Sequence, residues 1–408
     1  MADDVPTDFR FFERARHPAV RATRALIRGL TGVDPAPDDD VARAFAAAYF
    51  DGDPVADAYV ADAYAGRDAA RARGLLSRAI THGIDAVPEA SPALVRLIRD
   101  AEARPAWLDP ARVARGARVF RHYGIDVFRF AGAITASAYR ESSVAKPLVL
   151  TGAYAGGTAR RRFLETASFW IDVSEPGGLD RFAPGFASAL QVRVMHSVLR
   201  RKLLSHAEWK REAWGVPISQ GDATLTLLGG SVAPGIAMHV LGYRTSTEDM
   251  RDLLHFWRYV GHVMGVRFTA FPETVGDALR LSFVAALKGS SSAGQDGLTL
   301  ARGYGLAFAP SEKASLRDRL EHAEHLAMTR LFAASSTYRG ARLPPALPLV
   351  ALPLARAPFL LVSELVRRRV PVLDELRDRR VRSARRAWLE RHLHGDAARF
   401  RPVDQLAR

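Results

Sequence analysis

His196 carries the most chemical potential in this chain of 408 residues. It lies in a helix-patterned stretch from about Phe186 to Leu204, where Val192, His196, Leu199 and Leu203 share one apolar stripe. A histidine on such a stripe is more often a satisfied core residue than a ligand. The chain has no cysteine, however, which excludes disulfides, zinc–thiolate sites, iron–sulfur clusters, covalent CxxCH haem and thiolate-ligated haem. Neutral imidazole is the strong soft-metal ligand that remains. Arg193 and Arg200 stand about one turn before and after His196, where they could reach anionic groups of a cofactor or face solvent.

A second constellation is RRRFLETASFW (160–170), an amphipathic segment on which Arg162, Glu165 and Thr166 point toward one small region. From spacing alone the better reading is an ordinary surface Arg–Glu pair, worth about 0.3–0.5 kcal/mol. SEPGG (174–178) and Pro184 break the chain between the two helices, so the pair can fold back on itself. His255 and His262 are seven apart on one helix face and read as packing or support rather than direct ligands. In EHAEH (321–325), His322 and His325 with Glu321 have metal-like spacing, but a di-iron carboxylate centre needs repeated Glu-x-x-His elements that the chain lacks.

These residues must be positioned by helices. Alanine and leucine dominate the 48% hydrophobic share, and β-branched residues are modest, so an all-α fold is expected. Helices are read at Val55–Ala65, 69–82, 92–103 and 110–139, with Asp40 as a cap for Val41–Tyr49. A further helix starts at Thr245 or Ser246 and carries Leu253, Leu254, Trp257 and Val260 at three- and four-residue spacing. GSSSAGQDG (289–297) reads as a surface loop, and 310–335 as a helix capped by Ser311. Residues 343–366 are apolar enough to suggest a membrane span, but five prolines, Arg356 and Glu364 favour a buried or groove-lining segment. Monotopic contact with a membrane surface is the second reading, because an arginine-rich tail follows. That tail alternates with Asp374, Glu375 and Asp378, so a solvated helix face is expected there.

The formal net charge is +14, with only five lysines among 58 basic residues. The arginines are scattered and flanked by acids, so no nucleic-acid partner is expected. The N-terminal MADDVPTDFRFFERARHPAV has neither a secretory signal pattern nor a twin-arginine leader, and a cytoplasmic location is expected.

Several blocks in fixed order sharpen this reading. AKPLVLTGAY (145–154), RRRFLETASFW (160–170) and QVRVMHSVLRRKL (191–203) resemble the core of the latex-clearing (rubber oxygenase) and mpaB-type oxygenase family. GVPISQGDATLTLL (215–228), LGYRTSTEDM (241–250) and HFWRYVGHVMGV (255–266) continue the resemblance, with GDPVADA (52–58) as a weaker outlier. The resemblance implies a globin-like helical core around non-covalent haem b, with extra N- and C-terminal helices. It divides the chain into an N-terminal helical extension (1–110), a haem-binding oxygenase core (111–340) and a C-terminal apolar segment with a basic tail (341–408). It places the iron ligand on His196 and a distal arginine and threonine on Arg162 and Thr166; Arg193 and Arg200, one turn before and after His196, could then reach the cofactor's propionates. Where the rubber enzymes carry a distal lysine, this chain has Glu165, either a base or a salt-bridge partner of Arg161 or Arg162. The activity implied is oxidation or cleavage of a carbon–carbon double bond with dioxygen, in an apolar isoprenoid or lipid-like substrate. The alternatives are a haem-binding redox or gas-responsive protein without turnover, and a helical scaffold that has lost its cofactor.

Overall fold

A computed structural model describes residues 5–65, 68–152 and 158–393. Among these residues there are helices and turns and no strand. Thr158–Ser174 and Pro184–Leu204 form the hairpin that the intervening prolines and glycines require, and their faces pack together. Pro110–His122 runs along Thr247–Val263, and Asp126–Ala138 lies against Leu316–Phe332. Ser142–Leu150, Gln220–Gly230 and Val275–Lys288 close the remaining sides of the central cavity. Its floor is aromatic. Phe120, Trp170 and Trp257 meet edge to face with centroids 5.1–5.5 Å apart.

Several boundaries depart from the sequence reading. The stretch 110–139 is two helices, broken at Gly124, which adopts a left-handed conformation. Asp40 lies inside the helix Asp39–Ala47, and Asp38 takes the cap position without a side-chain bond. The loop after Lys288 is short, because Gly294–Gly305 is already helical. The helix expected from 310 starts at Leu316, where Ser315 and Asp318 form a reciprocal capping box; Ser311 takes no part in it. Ser246 and Asp249 form the box expected of them.

Residues from all three expected segments contribute to a shared core. One hydrophobic cluster runs from Ala56 and Leu97 through Phe120, Phe169 and Trp257 to Trp388 and Leu389. The apolar stretch near the C-terminus is not buried. It forms the helix Ala351–Arg367, whose large apolar side chains face outward. Ala153 and Tyr154 of the 145–154 block, Asp3 and Asp4, and the chain beyond residue 393 lie outside the described residues.

Candidate functional site

His196 faces a cavity of about 640 Å³ whose wall includes Phe128, Leu148, Phe163, Trp170, Leu199 and Trp257. Removal from bulk water is the main influence on its ring, followed by the positive charges of Arg200 and Arg162. Together they push its pKa down to about 3, so the imidazole is neutral at physiological pH. The ring keeps free surface on the cavity side, and neither nitrogen has a hydrogen bond among the described residues. Buried polar groups are almost always paired, so an unpartnered imidazole aimed into an apolar chamber is the site's most informative feature.

The residues around His196 on its own helix are firmly held. Arg193 grips Asp53 through two nitrogens at 2.6 and 3.0 Å and meets Asp100 at 2.7 Å. Asp57 accepts from Ser197 at 2.6 Å and from Arg200 at 2.5 Å. Arg200 also donates to the carbonyls of Pro217 and Ile218. Both arginines touch the cavity wall, but their guanidiniums are committed to these partners. They bolt the histidine helix to Pro54–Ala65 instead of standing free for a cofactor's carboxylates. Gly265 completes the joint: it has φ +78°, and a Cβ there would lie 2.0 Å from Asp53 Oδ2. Gln220 ties the same place together by donating to the carbonyls of Gly52 and Gly265.

On the opposing helix, Arg162 and Thr166 both line the cavity. The hairpin therefore brings these two residues and His196 to one chamber. Glu165 does not join them. It is buried away from the cavity and accepts from Arg161 at 3.1 Å and Arg162 at 2.9 Å, which is the salt-bridge alternative. The Thr166 hydroxyl donates to the Arg162 carbonyl at 3.1 Å, so its lone pairs are what it offers the chamber.

Two polar features of the wall had no sequence signal of their own. Asp53 and Asp57 lie in GDPVADA, 140 and 143 residues from the arginines they hold. Asp222, in the first turn of Gln220–Gly230, also lines the cavity. Of the lining carboxylates, Asp53 is paired with Arg193 and Glu141 with Lys288, but Asp222 has no ion pair among the described residues. It accepts from Ser219 at 3.3 Å, and burial pushes its pKa up to about 6 against the opposing pull of Lys288. The spacing S-x-x-D was readable as a capping pattern; its aim into a cavity was not.

His255, His262 and His325 are structural. His255 accepts from the Asp109 backbone N–H at 3.0 Å, and His262 Nε2 meets the Ala103 carbonyl at 2.9 Å, so both clamp the loop around Trp107. His325 is fully buried against Phe163 and Phe308 with Nε2 on the Tyr304 carbonyl. Glu321 is held by Arg129, Arg391 and Trp388. Among the described residues no group of three or more His, Asp or Glu side chains converges as a metal cage. A single imidazole suits an ion whose other ligands come from a macrocycle, and the apolar chamber beside it suits that macrocycle's faces.

Comparison with known proteins agrees with this architecture. The family model described as the catalytic domain of ER-bound oxygenase mpaB/B′ and rubber oxygenase matches residues 120–387. The rubber oxygenase of Streptomyces sp. (strain K30) is 28% identical over 203 residues, 48% of this chain and 48% of that protein. The chain thus aligns with about half the length of that relative. The solved structure of latex clearing protein in the closed state superposes with a TM-score of 0.59. It covers 84% of this chain and 91% of the other at 17% identity, which establishes a shared fold.

Proposed function

The chain belongs to the mpaB and rubber oxygenase family, and from that premise we propose that it is a haem b-dependent oxygenase acting on an apolar substrate. The observation that carries the proposal is the neutral, unpartnered His196 imidazole facing the apolar cavity. The substrate class we infer is an alkene-bearing isoprenoid or lipid-like molecule of small size in the cytoplasm, oxidised or cleaved at a C=C bond with dioxygen. Haem b, when bound, would supply the iron chemistry that activates dioxygen.

The protein's own contributions follow from the geometry. His196 is the ligand, held in position because Arg193, Ser197 and Arg200 fix the rotation of its helix about the axis. Arg162 presents positive charge to a dry chamber, where it stabilises negative charge far better than it would in water. Glu165 restrains that guanidinium. Proton transfer falls to Asp222, whose carboxyl is poised near neutrality and free of an ion pair, rather than to Glu165. Apolar lining from Phe128 to Trp257 binds the substrate and excludes water.

Purified protein should show a Soret band and a b-type pyridine haemochrome. His196→Ala should lose most of the haem, and full retention in that variant would overturn the ligand assignment. Under dioxygen, an isoprenoid panel should yield oxygenated or cleaved products that are absent under nitrogen. Turnover should fall at least about tenfold in Arg162→Ala, the loss expected on removing a charged stabilising group. Haem without products from any panel member would favour a redox or gas-responsive protein.

A further inference from the structure

The C-terminal helical hairpin inverts the usual amphipathic rule. Pro348–Arg367 is long and apolar enough to cross a membrane by length and composition, yet only 11% of its apolar window is buried. Phe359, Val362, Leu365 and Val366 face outward, and Val372 and Leu373 extend the patch into the helix Pro371–Leu393. Phe359 is 79% exposed and Val372 68%. Contiguous apolar exposure on this scale marks a contact surface.

The charges lie on the inner side. Glu364, 1% exposed, accepts from Arg367 at 2.6 Å and pairs with Arg377 at 2.9 Å. Arg367 also meets Asp374 at 2.8 Å, and Arg356 meets Asp126 at 3.3 Å. The Glu364, Arg367, Arg377 and Asp374 pairs lock the two helices to each other, and Arg356 ties the hairpin to the body of the protein. The hairpin is also seated closely: Gly242, at φ +93°, packs so near that a Cβ would lie 2.1 Å from the Ala357 carbonyl oxygen. The outward apolar face belongs to the fixed structure.

Arginine dominates the exposed charge around this face. Arg342, Arg368, Arg369, Arg379, Arg380 and Arg386 lie at the surface, and the one acid of the segment with comparable exposure, Glu375, is paired with Arg118 and Arg379. Some have partners, Arg368 on Asp249 and Arg379 on Glu375, but every acid of the segment is turned inward or half-buried. Of the acids expected to alternate along a solvated face, Asp374 and Asp378 lie in the inner seam, and Glu375 is half-exposed between Arg118 and Arg379. An apolar surface rimmed mostly by arginine complements an anionic bilayer, with hydrocarbon for the side chains and headgroups for the guanidiniums. Two copies docked face to face would instead bring arginines together, with only the already paired Glu375 to offset them.

We propose that the outward face of the 351–376 hairpin docks on the surface of an anionic lipid bilayer, without spanning it. The full-length protein should co-sediment with phosphatidylcholine vesicles containing roughly one-third phosphatidylglycerol, less with pure phosphatidylcholine, and less in high salt. Phe359→Glu with Val362→Glu should cut sedimentation by about tenfold or more, since both groups would leave hydrocarbon. Its circular dichroism and melting curve should match the parent, because both side chains are exposed. Arg369→Glu with Arg380→Glu should remove the preference for anionic vesicles. Absence of binding to anionic vesicles, or binding untouched by Phe359→Glu/Val362→Glu, would overturn the proposal. So would a parent dimer in solution that this double variant turns into a monomer, since a second copy would then cover the face.

Discussion

At the scale of single residues, what distinguishes His196 is an unpartnered ring that faces the cavity. His255, His262 and His325 each hold a backbone group, whereas His196 has a cavity. The apolar stripe in the sequence could not separate these cases, because a core histidine and a cofactor ligand produce the same helical spacing. Ordered family blocks single out this side chain, and its ring faces the cavity without a hydrogen-bond partner among the described residues. Asp222 is the converse: visible in the sequence only as a capping acid, it is the lining carboxyl without an ion pair. Its raised pKa has a signed consequence. Between about pH 4 and pH 6 the native state binds this proton and the unfolded chain releases it, so the group lowers stability as pH rises through that window. Asp222→Asn should therefore raise the urea midpoint at pH 7, and the gain should shrink toward zero by pH 4. A gain that does not change with pH would mean that burial of the carboxylate is not its cause.

At the scale of elements, the functional unit is a pair of helices and the device that sets their rotation. A helix turned by one residue swings each side chain by about 100°, so His196 faces the chamber only while Arg193, Ser197 and Arg200 keep their acids. Asp53→Asn leaves Arg193 buried with half its charge balance and should cost about 3 kcal/mol in chemical denaturation. It should also reduce haem uptake, although residue 53 is not the proposed ligand. Normal uptake at reduced stability would limit the pair to a structural role. Helix starts set by a nearby serine and acid are partly legible: the start at Thr245 or Ser246 is visible in the sequence, whereas Ser311 reads as the cap of a helix that Ser315 caps. Both serines precede the same helix, and the deciding partner, Asp318, lies three residues beyond the second. The length of the apolar stretch near residue 350 was plain, but not its exposure. Ion pairs to Asp126 and Glu324 on distant helices decide which way it faces, and local pattern carries no record of them.

At the scale of the molecule, one large core runs from Ala56 to Leu389, and neutral histidines are buried in the fold. Burial pushes His122 down to about 2, with Arg367 and other arginines adding to the effect, and His325 down to about 4. Below about pH 6.5 the unfolded chain takes up these protons and the native protein does not, so stability falls as pH falls. Each group contributes about 1.4 kcal/mol per pH unit once it is well below that point. Urea midpoints measured from pH 7 to pH 5 should decline, more steeply than one histidine explains. A midpoint that holds level or rises would show that these histidines are protonated in the native state.

The bolt between the first hundred residues and the histidine helix also bears on how such proteins can be divided. The stretch recognised as the family's catalytic domain begins at residue 120, but Asp53 and Asp57 lie well before it. As an inherited unit of sequence, the catalytic domain is therefore smaller than the object that folds around His196. A chimera grafting this stretch behind a foreign N-terminal region would keep His196 and lose the acids that hold it in register. Exchange among relatives is constrained to carry the GDPVADA segment together with the helix that contains Arg193 and Arg200.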